Sequence, residues 1–234
     1  MLPHQVPSRR HVDGFTVSRH GLPVNANPDA AGHMIRARRG ASPCQRNGVG
    51  QNWRSSHIAY AGGRNDGFVL GSSAQAMQYW DKRHLPFSYS LAAHFPIGQR
   101  YFSSVLAQTY PNRRFLFTGT ASGTVATDGR TFAIKAPNGT IFDRFDDHGI
   151  SWRNYHSGLP SPAIVPGYLT VPGRPTKNLR PIADFFADAK KGRLPGFSLL
   201  DPQYDWQSQE NPQDLQYGEQ FMADVVHAVT HSPN

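Results

Sequence analysis

The stretch NGTIFDRFDDHGISWRNY, residues 138–155, carries a helix signal followed directly by a strand signal. Thr140 is suited to cap a helix, Ile141 and Phe142 begin an apolar helical face, and Gly149 is placed to end the helix. The residues that follow, ISWRNY, are typical of a β-strand. This order predicts a helix that packs against a sheet containing the next strand.

The same alternation continues toward the end of the chain. LRPIADFFADAKKG (179–192) has apolar residues at helical spacing, GFSLLD (196–201) is typical of a short buried strand, and YGEQFMADVVHAV (217–229) again has helical spacing. Helices that alternate with strands predict an α/β layer structure with a largely parallel sheet.

Composition narrows the class of protein. The 234 residues include 24 Lys and Arg against 16 Asp and Glu, a formal net charge of +8. Such a balance favours anionic partners such as phosphate esters, nucleic acid or acidic lipid headgroups. The single cysteine, Cys44, excludes an intrachain disulfide framework and a cysteine-rich zinc site. The sequence contains neither a long apolar span nor, in MLPHQVPSRR, the apolar core of a signal peptide.

The charge is concentrated near the beginning of the chain. Residues 1–56 carry SRR, SRH and RARR among Gly, Pro, Asn and Ser, which predicts an irregular basic segment. Residues 57–234 are predicted to form the folded domain. The basic segment raises nucleic-acid binding as an alternative function, but no RNP-like or helix-turn-helix pattern accompanies it, so no specific nucleic-acid partner is expected.

A hydroxyl, an amide and guanidinium groups stand together in TYPNRR, residues 109–114, just before an apolar run. Pro111 suits the turn into a helix formed by NRRFLFTG (112–119), which would place the Thr109 hydroxyl by the positive end of the helix dipole. This is an anion-binding position, where Asn112 and either Arg113 or Arg114 are candidate ligands of phosphoryl oxygens. By spacing alone, a helix cap is the commoner role of such a threonine.

Several motifs together resemble one family. TYPNR matches the T-x-P-N-R motif of the phosphoesterase family that contains bacterial phospholipases C, plant non-specific phospholipases C and some acid phosphatases. The resemblance covers about residues 50–234. Further matching motifs occur in the family's order: GRNDGF (63–68), DRFDDHGISWRNY (143–155), GRLPGFSLLDPQY (192–204) and ENPQDLQYGEQF (210–221).

The resemblance implies a site and a reaction. Thr109 matches the nucleophile, which attacks phosphorus, forms a covalent phosphothreonine and is itself held by a divalent metal ion. Asn112 would bind phosphate oxygens, and Arg113 would act as a substrate clamp or as a structural ion pair. The implied fold is an alkaline-phosphatase-like layered sheet with helices on both faces. The implied substrate is a phosphoric ester, with phospholipid and soluble phosphomonoester both left open.

The chain also departs from the family pattern. Family members open with an E-N-R-S-F-D-H segment and carry a later D-E-x-x-G-x-x-D-H segment, both of which bind metal, and neither is found here. Gln51 and Asn211 occupy apparent family histidine positions. We therefore expect a domain incomplete at both ends, metal ligands outside this chain, and weak or no activity. The alternative is a catalytically dead fragment acting as an anion-binding, nucleic-acid-binding or scaffold protein.

Two further expectations concern the acidic cluster and the edge of the sheet. In DRFDDHG, the acidic residues and His148 are a candidate metal cluster, but their spacing fits a solvated helix face better. A missing first strand would leave an apolar sheet edge unpaired and favour self-association. Family members are commonly exported or membrane-associated, and without the segment that would direct export the localisation is left open.

Overall fold

The computed structural model describes residues 12–45, 47–166 and 176–233. Of the basic segment, SRH and RARR fall within this range and SRR falls outside it. The α-helices of the described part are α1 (Trp53–Tyr60), α2 (Phe68–Gly71), α3 (Pro86–His94), α4 (Thr109–Thr118), α5 (Ile141–Asp147), α6 (Ile182–Lys190) and α7 (Leu215–Thr230), and several short 3-10 helices lie between them. The strands are β1 (Ala26–Pro28), β2 (Met34–Arg36), β3 (Arg38–Arg39), β4 (Gln78–Tyr79), β5 (Trp152–His156), β6 (Leu179–Pro181) and β7 (Phe197–Asp201).

The chain divides into two compact units. The first contains the residues up to Leu106 together with Ser208–Gln220, and the second contains Ala107–Gln207 and the residues from Phe221 onward. A single boundary at residue 56 remains a prediction, and the described part of residues 1–56 includes three short strands, β1, β2 and β3.

The first unit is built from small strand pairs and helices. Strand β1 pairs antiparallel with β2, and β3 pairs parallel with β4. The buried carboxylate of Glu219 accepts hydrogen bonds from the backbone N–H groups of Phe87 and Ser88, at 2.8 and 3.0 Å. These groups lie in the first turn of α3, where backbone donors have no partner within the helix. A carboxylate distant in sequence therefore satisfies the beginning of α3.

The second unit contains the predicted parallel sheet. Its strand order is β6-β5-β7, and both neighbours run parallel to the central strand β5. The mixed helix and strand content and the parallel pairing confirm an α/β fold. The short strand β6 was missed, because its three residues, LRP, were assigned to the helix that follows. The alkaline-phosphatase-like arrangement remains a prediction.

Strand β5 is covered on both faces. Trp152 packs in one apolar cluster with Phe142 of α5 and Phe117 of α4. Tyr155 contacts Phe185 of α6, with ring centroids 5.5 Å apart. Because residues 152 and 155 point to opposite faces of a strand, α4 and α5 cover one face and α6 covers the other. This packing explains why every residue of β5 is buried or partly buried.

The helix predicted after residue 140 has the expected cap. The Thr140 hydroxyl accepts from the Asp143 N–H at 3.2 Å, and the Asp143 carboxylate accepts from the Thr140 N–H at 2.7 Å. This reciprocal pair is a capping box, which satisfies two backbone donors at the start of α5. Gly149 follows the helix with a φ of 66°, a left-handed conformation that glycine adopts without strain.

We expect Thr140→Ala to lower the free energy of unfolding by about 1 kcal/mol, because the Asp143 N–H loses its acceptor. Urea denaturation of the 234-residue chain measures this loss. Thr140→Ser is the matched control, since serine keeps the accepting oxygen and should lose less. Equal losses in the two variants would contradict a role for the hydroxyl.

Candidate active site

Thr109 is the first residue of α4, and its side chain is exposed. The helix begins three residues before the predicted start, because Pro111 is tolerated in a first turn. No acidic residue lies in this turn, and the preceding Gln108 makes no side-chain capping bond. Within the described part of the chain, the Thr109 hydroxyl has no hydrogen-bond partner. Thr109 therefore lies at the positive end of a helix dipole, where negative charge is stabilised.

Asn112 lies in the same first turn and stabilises the entry into the helix. Its side-chain amide nitrogen donates to the carbonyl oxygens of Ala107 and Gln108, at 2.9 and 3.1 Å. The same nitrogen would have to leave these carbonyls in order to donate to a phosphate. Phosphate binding by Asn112 therefore remains a prediction.

Arg113 is held by a polar network. Its guanidinium donates to the Ser161 hydroxyl and, at 2.6 Å, to the Tyr204 hydroxyl. One guanidinium nitrogen lies 3.6 Å from a carboxylate oxygen of Asp201. Of the two roles left open by the resemblance, these contacts have the form of a structural ion pair, and whether Arg113 also contacts substrate remains a prediction.

Asp201 is the centre of this network, and its side chain is buried. The carboxylate accepts from the Ser161 N–H at 2.7 Å and from the Ser161 hydroxyl at 2.5 Å. It also accepts from the Asn154 amide at 2.7 Å and from the Tyr204 hydroxyl at 3.1 Å. A buried carboxylate is tolerated only when paired and hydrogen-bonded, and all these donors meet that requirement.

The network joins α4 to one edge of the sheet. Asp201 is the last residue of β7, so it lies at the carboxyl edge of the parallel strands. Arg113 and Thr109 are four residues apart on α4 and therefore share a helix face. In parallel α/β sheets, ligands bind outside the carboxyl ends of the strands. The candidate nucleophile is thus one helical turn from a residue anchored at the edge where such folds bind ligands.

Arg114 has a different position from its neighbour. Its side chain is fully buried and donates to the carbonyl oxygens of Thr131 and Ile164, at 3.2 and 3.3 Å. Burial lowers the pKa of this guanidinium, because desolvation disfavours the charged form. Of the two arginines considered as phosphate ligands, Arg114 is inaccessible and instead links loops around α4.

The acidic cluster on α5 is used structurally. Asp143 forms the capping box, Asp146 accepts from the Trp152 indole N–H at 2.9 Å, and Asp147 pairs with Arg144 at 3.2 Å. Residues 12–45, 47–166 and 176–233 contain no group of three acidic, histidine or cysteine side chains that could hold a metal ion. The residues described do not fit the metal centre that the family resemblance implies.

The two residues at apparent family histidine positions both lie in the first unit. Gln51 is exposed just before α1. The side-chain oxygen of Asn211 accepts from the Val49 N–H at 2.9 Å, which connects two distant segments of that unit. Whether either residue replaces a functional histidine remains a prediction.

The second unit also contains a cleft of about 870 Å³ at the opposite edge of the sheet. It is lined by residues at the amino ends of β5 and β7, including Arg153 and Pro195, and by Lys191 at the end of α6. Thr109 and Arg113 do not line it. The cleft is therefore separate from the candidate active site.

Sequence reasoning missed the partners of Arg113. Asp201, Ser161 and Tyr204 are 40 or more residues away from Arg113 in the chain. One signal was present: Asp201 ends a buried strand in GFSLLD, and an acidic residue at the carboxyl end of a parallel strand is a typical site position. The pairing itself required the tertiary structure.

The fold and site define an α/β protein with an exposed hydroxyl at a helix N-terminus beside the carboxyl edge of a parallel sheet. The Phosphoesterase family model matches residues 19–234, and the chain belongs to this family. The family resemblance drawn from the sequence motifs is confirmed.

Relatives of this chain include several phospholipases C. Non-specific phospholipase C1 of Arabidopsis thaliana is 25% identical over 176 residues, which cover 70% of this chain and 32% of the relative. Phospholipase C B of Mycobacterium tuberculosis is 27% identical over 182 residues, covering 64% of this chain and 35% of the relative. Hemolytic phospholipase C of Pseudomonas aeruginosa is 28% identical over 117 residues, covering 45% of this chain and 16% of the relative. The chain spans about a third of the length of the plant relative.

Within residues 12–45, 47–166 and 176–233, no helix combines the length and the apolar character needed to cross a bilayer.

We expect Asp201→Ala to lower the free energy of unfolding by about 3 kcal/mol, because Arg113, Ser161 and Asn154 all lose their common acceptor. Chemical denaturation measures the change. Asp147→Ala is the control, since it removes an exposed ion pair worth at most about 0.5 kcal/mol. Similar losses in the two variants would show that the Asp201 network contributes little.

We also expect stability to fall at alkaline pH. Burial is the main cause that raises the pKa of Tyr155 and of Tyr204, and the negative charge of Asp201 adds to the effect on Tyr204. Because the folded-state pKa is raised, the contribution of these phenols to the free energy of unfolding is complete below their unfolded-state pKa of about 10. It is lost as pH rises through the folded-state pKa.

Denaturation between about pH 9 and pH 11 tests this expectation. Tyr155→Phe with Tyr204→Phe should flatten the fall in stability, whereas Tyr101→Phe should not, because Tyr101 is exposed. An unchanged slope in the double variant would exclude the two buried phenols as its cause.

Proposed function

We propose that this chain is the nucleophile-bearing part of a phosphoric ester hydrolase of the phospholipase C or acid phosphatase type. One observation carries the proposal: Thr109 is exposed at the first position of α4, one turn before an arginine anchored at the carboxyl edge of the sheet. Family membership supports the same class of reaction.

The proposed reaction has two displacements at phosphorus. In the first, the Thr109 oxygen forms a bond to phosphorus while the bond to the leaving alcohol oxygen breaks, and the threonyl proton is transferred to the alcohol. In the second, the oxygen of a water molecule forms a bond to phosphorus while the bond to the Thr109 oxygen breaks, and a proton of the water restores the hydroxyl. The product is phosphate when the substrate is a phosphomonoester, and a phosphomonoester when the substrate is a phospholipid. This is covalent catalysis, which replaces one difficult step by two easier ones.

The residues of α4 would have separate roles in that reaction. The dipole of the helix would stabilise the anionic phosphoryl group, and the Thr109 hydroxyl, which has no hydrogen-bond partner among the described residues, would attack phosphorus. Asn112 and Arg113 would position phosphoryl oxygens, although both side chains already make the contacts described above. The Arg113 network holds the first turn in place, because geometry contributes strongly to phosphoryl transfer.

Activation of the hydroxyl is the requirement that the described residues do not meet. A threonine hydroxyl is a weak nucleophile at neutral pH and needs a metal ion or a base. Residues 12–45, 47–166 and 176–233 contain no metal-binding group that could activate it. A divalent ion of unknown identity, held by ligands from outside the chain, remains part of the proposal.

We expect this chain alone to show little or no steady-state turnover of p-nitrophenyl phosphate with added divalent metals. Phosphoryl groups trapped by acid quenching and located by peptide mass spectrometry should lie on Thr109. The label should vanish in Thr109→Ala and persist in Ser104→Ala, which removes an exposed hydroxyl close to Thr109 in the sequence.

Each result has a distinct meaning. Label on another residue, or no label with any metal, would contradict Thr109 as the nucleophile. Robust metal-dependent turnover lost in Thr109→Ala would instead support the nucleophile and contradict the expectation that the site is incomplete.

The second candidate is a catalytically dead protein that binds anions or nucleic acid or acts as a scaffold. The lack of a metal-binding group among the described residues favours it. Self-association through an edge of the sheet is a related proposal, since β6 and β7 each have one side without a paired strand within the described part of the chain. The substrate, whether phospholipid or soluble phosphomonoester, also stays at the level of proposal.

A further inference from the structure

A basic cleft of about 660 Å³ lies within the first unit. Four arginines line it: Arg36, Arg38, Arg39 and Arg83. Three of them come from RARR, the basic motif to which the proposed reaction gives no role. Among the described residues, Asp81 is the one acidic residue that lines it, so this lining has a net charge of +3 when these five side chains are ionised. A concave site lined by one sign of charge concentrates the opposite charge.

Strand pairing assembles this group from distant parts of the sequence. Strand β3 pairs with β4, with Arg38 opposite Gln78 and Arg39 opposite Tyr79. The turn after β4 then brings Arg83 to the same cleft. Ala37 is buried between Arg36 and Arg38, which are both exposed. The alternation of an extended chain therefore directs Arg36 and Arg38 to the same side.

Asp81 pairs with two of the four arginines that line the cleft. Its carboxylate is buried and lies 2.6 Å from a guanidinium nitrogen of Arg83 and 3.6 Å from one of Arg39. Arg36 and Arg38 have no carboxylate partner within the described residues. Two guanidinium groups are thus held in place by a buried counter-charge, and two remain available to an incoming anion.

The remaining wall is less polar. The turn containing Leu22 and Pro23 lines the cleft, and the Leu22 side chain is exposed. Tyr79 lines it as well. A ligand that fits both the arginines and this less polar part of the lining carries a compact anionic group attached to an apolar or ring-shaped portion. The volume is within the range of small-molecule sites.

We propose that this cleft binds a phosphate monoester group attached to a small apolar moiety, either a soluble organic phosphate or a lipid headgroup. Guanidinium groups bind phosphate through paired, charge-assisted hydrogen bonds, which favours a dianionic monoester. The cleft lies within the first unit and Thr109 lies in the second, so the proposal does not depend on the proposed nucleophile.

Calorimetric titration of the 234-residue chain with phenyl phosphate tests the proposal. Arg36→Gln with Arg38→Gln should weaken binding at least about tenfold, since each lost charged hydrogen bond to the ligand costs affinity. Arg54→Gln with Arg100→Gln is the charge-matched control, because both arginines are exposed and lie outside the cleft. The control should stay within about twofold of the unmodified chain.

Two further measurements separate the possible sources and sites. Vesicles of phosphatidylcholine with and without phosphatidic acid distinguish a lipid headgroup from a soluble phosphate, and binding of either probe with the stated arginine dependence supports the proposal. Thr109→Ala should retain phenyl phosphate binding. Loss of that binding in Thr109→Ala would move the ligand to the candidate active site and overturn the assignment to this cleft, while leaving the proposed function intact.

Other results would also overturn the proposal. These are an equal loss in the charge-matched control, unchanged binding in the cleft variant, or no binding of phenyl phosphate and of phosphatidic acid vesicles. Binding of a single-stranded oligonucleotide without binding of either monoester would replace it by nucleic-acid recognition. Circular dichroism and thermal unfolding of each variant establish that lost binding is not lost folding.

Discussion

The ion pair between Arg113 and the buried Asp201 is the constraint on which the second unit depends. Its carboxylate is removed from water, so the charge is tolerated only because Ser161, Asn154 and Tyr204 complete its hydrogen bonds. The pair fixes a position on α4 against the end of β7. A shift of one residue in either element would leave a buried charge without its partners. The register of α4, and with it the direction of Thr109, follows from this pairing.

The second unit combines apolar and polar packing around one strand. Trp152 and Tyr155 anchor β5 to helices on opposite faces, as a central parallel strand requires. Beside this apolar core, the fully buried Arg114 donates to backbone carbonyls of two loops. Adjacent arginines on α4 thus have different environments: Arg113 pairs with a carboxylate, whereas Arg114 satisfies loop backbone. The rotation of the helix, about 100° per residue, separates them.

The helix N-terminus with its hydroxyl and a metal centre differ in how much of the chain is needed to form them. The helix N-terminus and its hydroxyl are local features, formed by a few consecutive residues. A metal centre needs ligands from several distant segments, and the described residues contain no such group. The chain matches the family over residues 19–234 yet spans about a third of the length of its plant relatives. Family membership therefore supports the proposed class of reaction, whereas the described residues do not supply the metal centre that the resemblance implies.

The sequence by itself determined the helices and strands around residues 140–156 and 182–230, the parallel α/β class and the family, because periodicity, caps and ordered motifs are local signals. The nucleophile role of Thr109 stays a prediction from the sequence, which also left open both roles of Arg113. Only the tertiary structure decided that Asp201 pairs with Arg113, that Arg114 is buried, and that RARR lies beside Arg83. These contacts join residues that are far apart in the chain. A buried charge needs a partner, but the local sequence does not encode which distant side chain provides it.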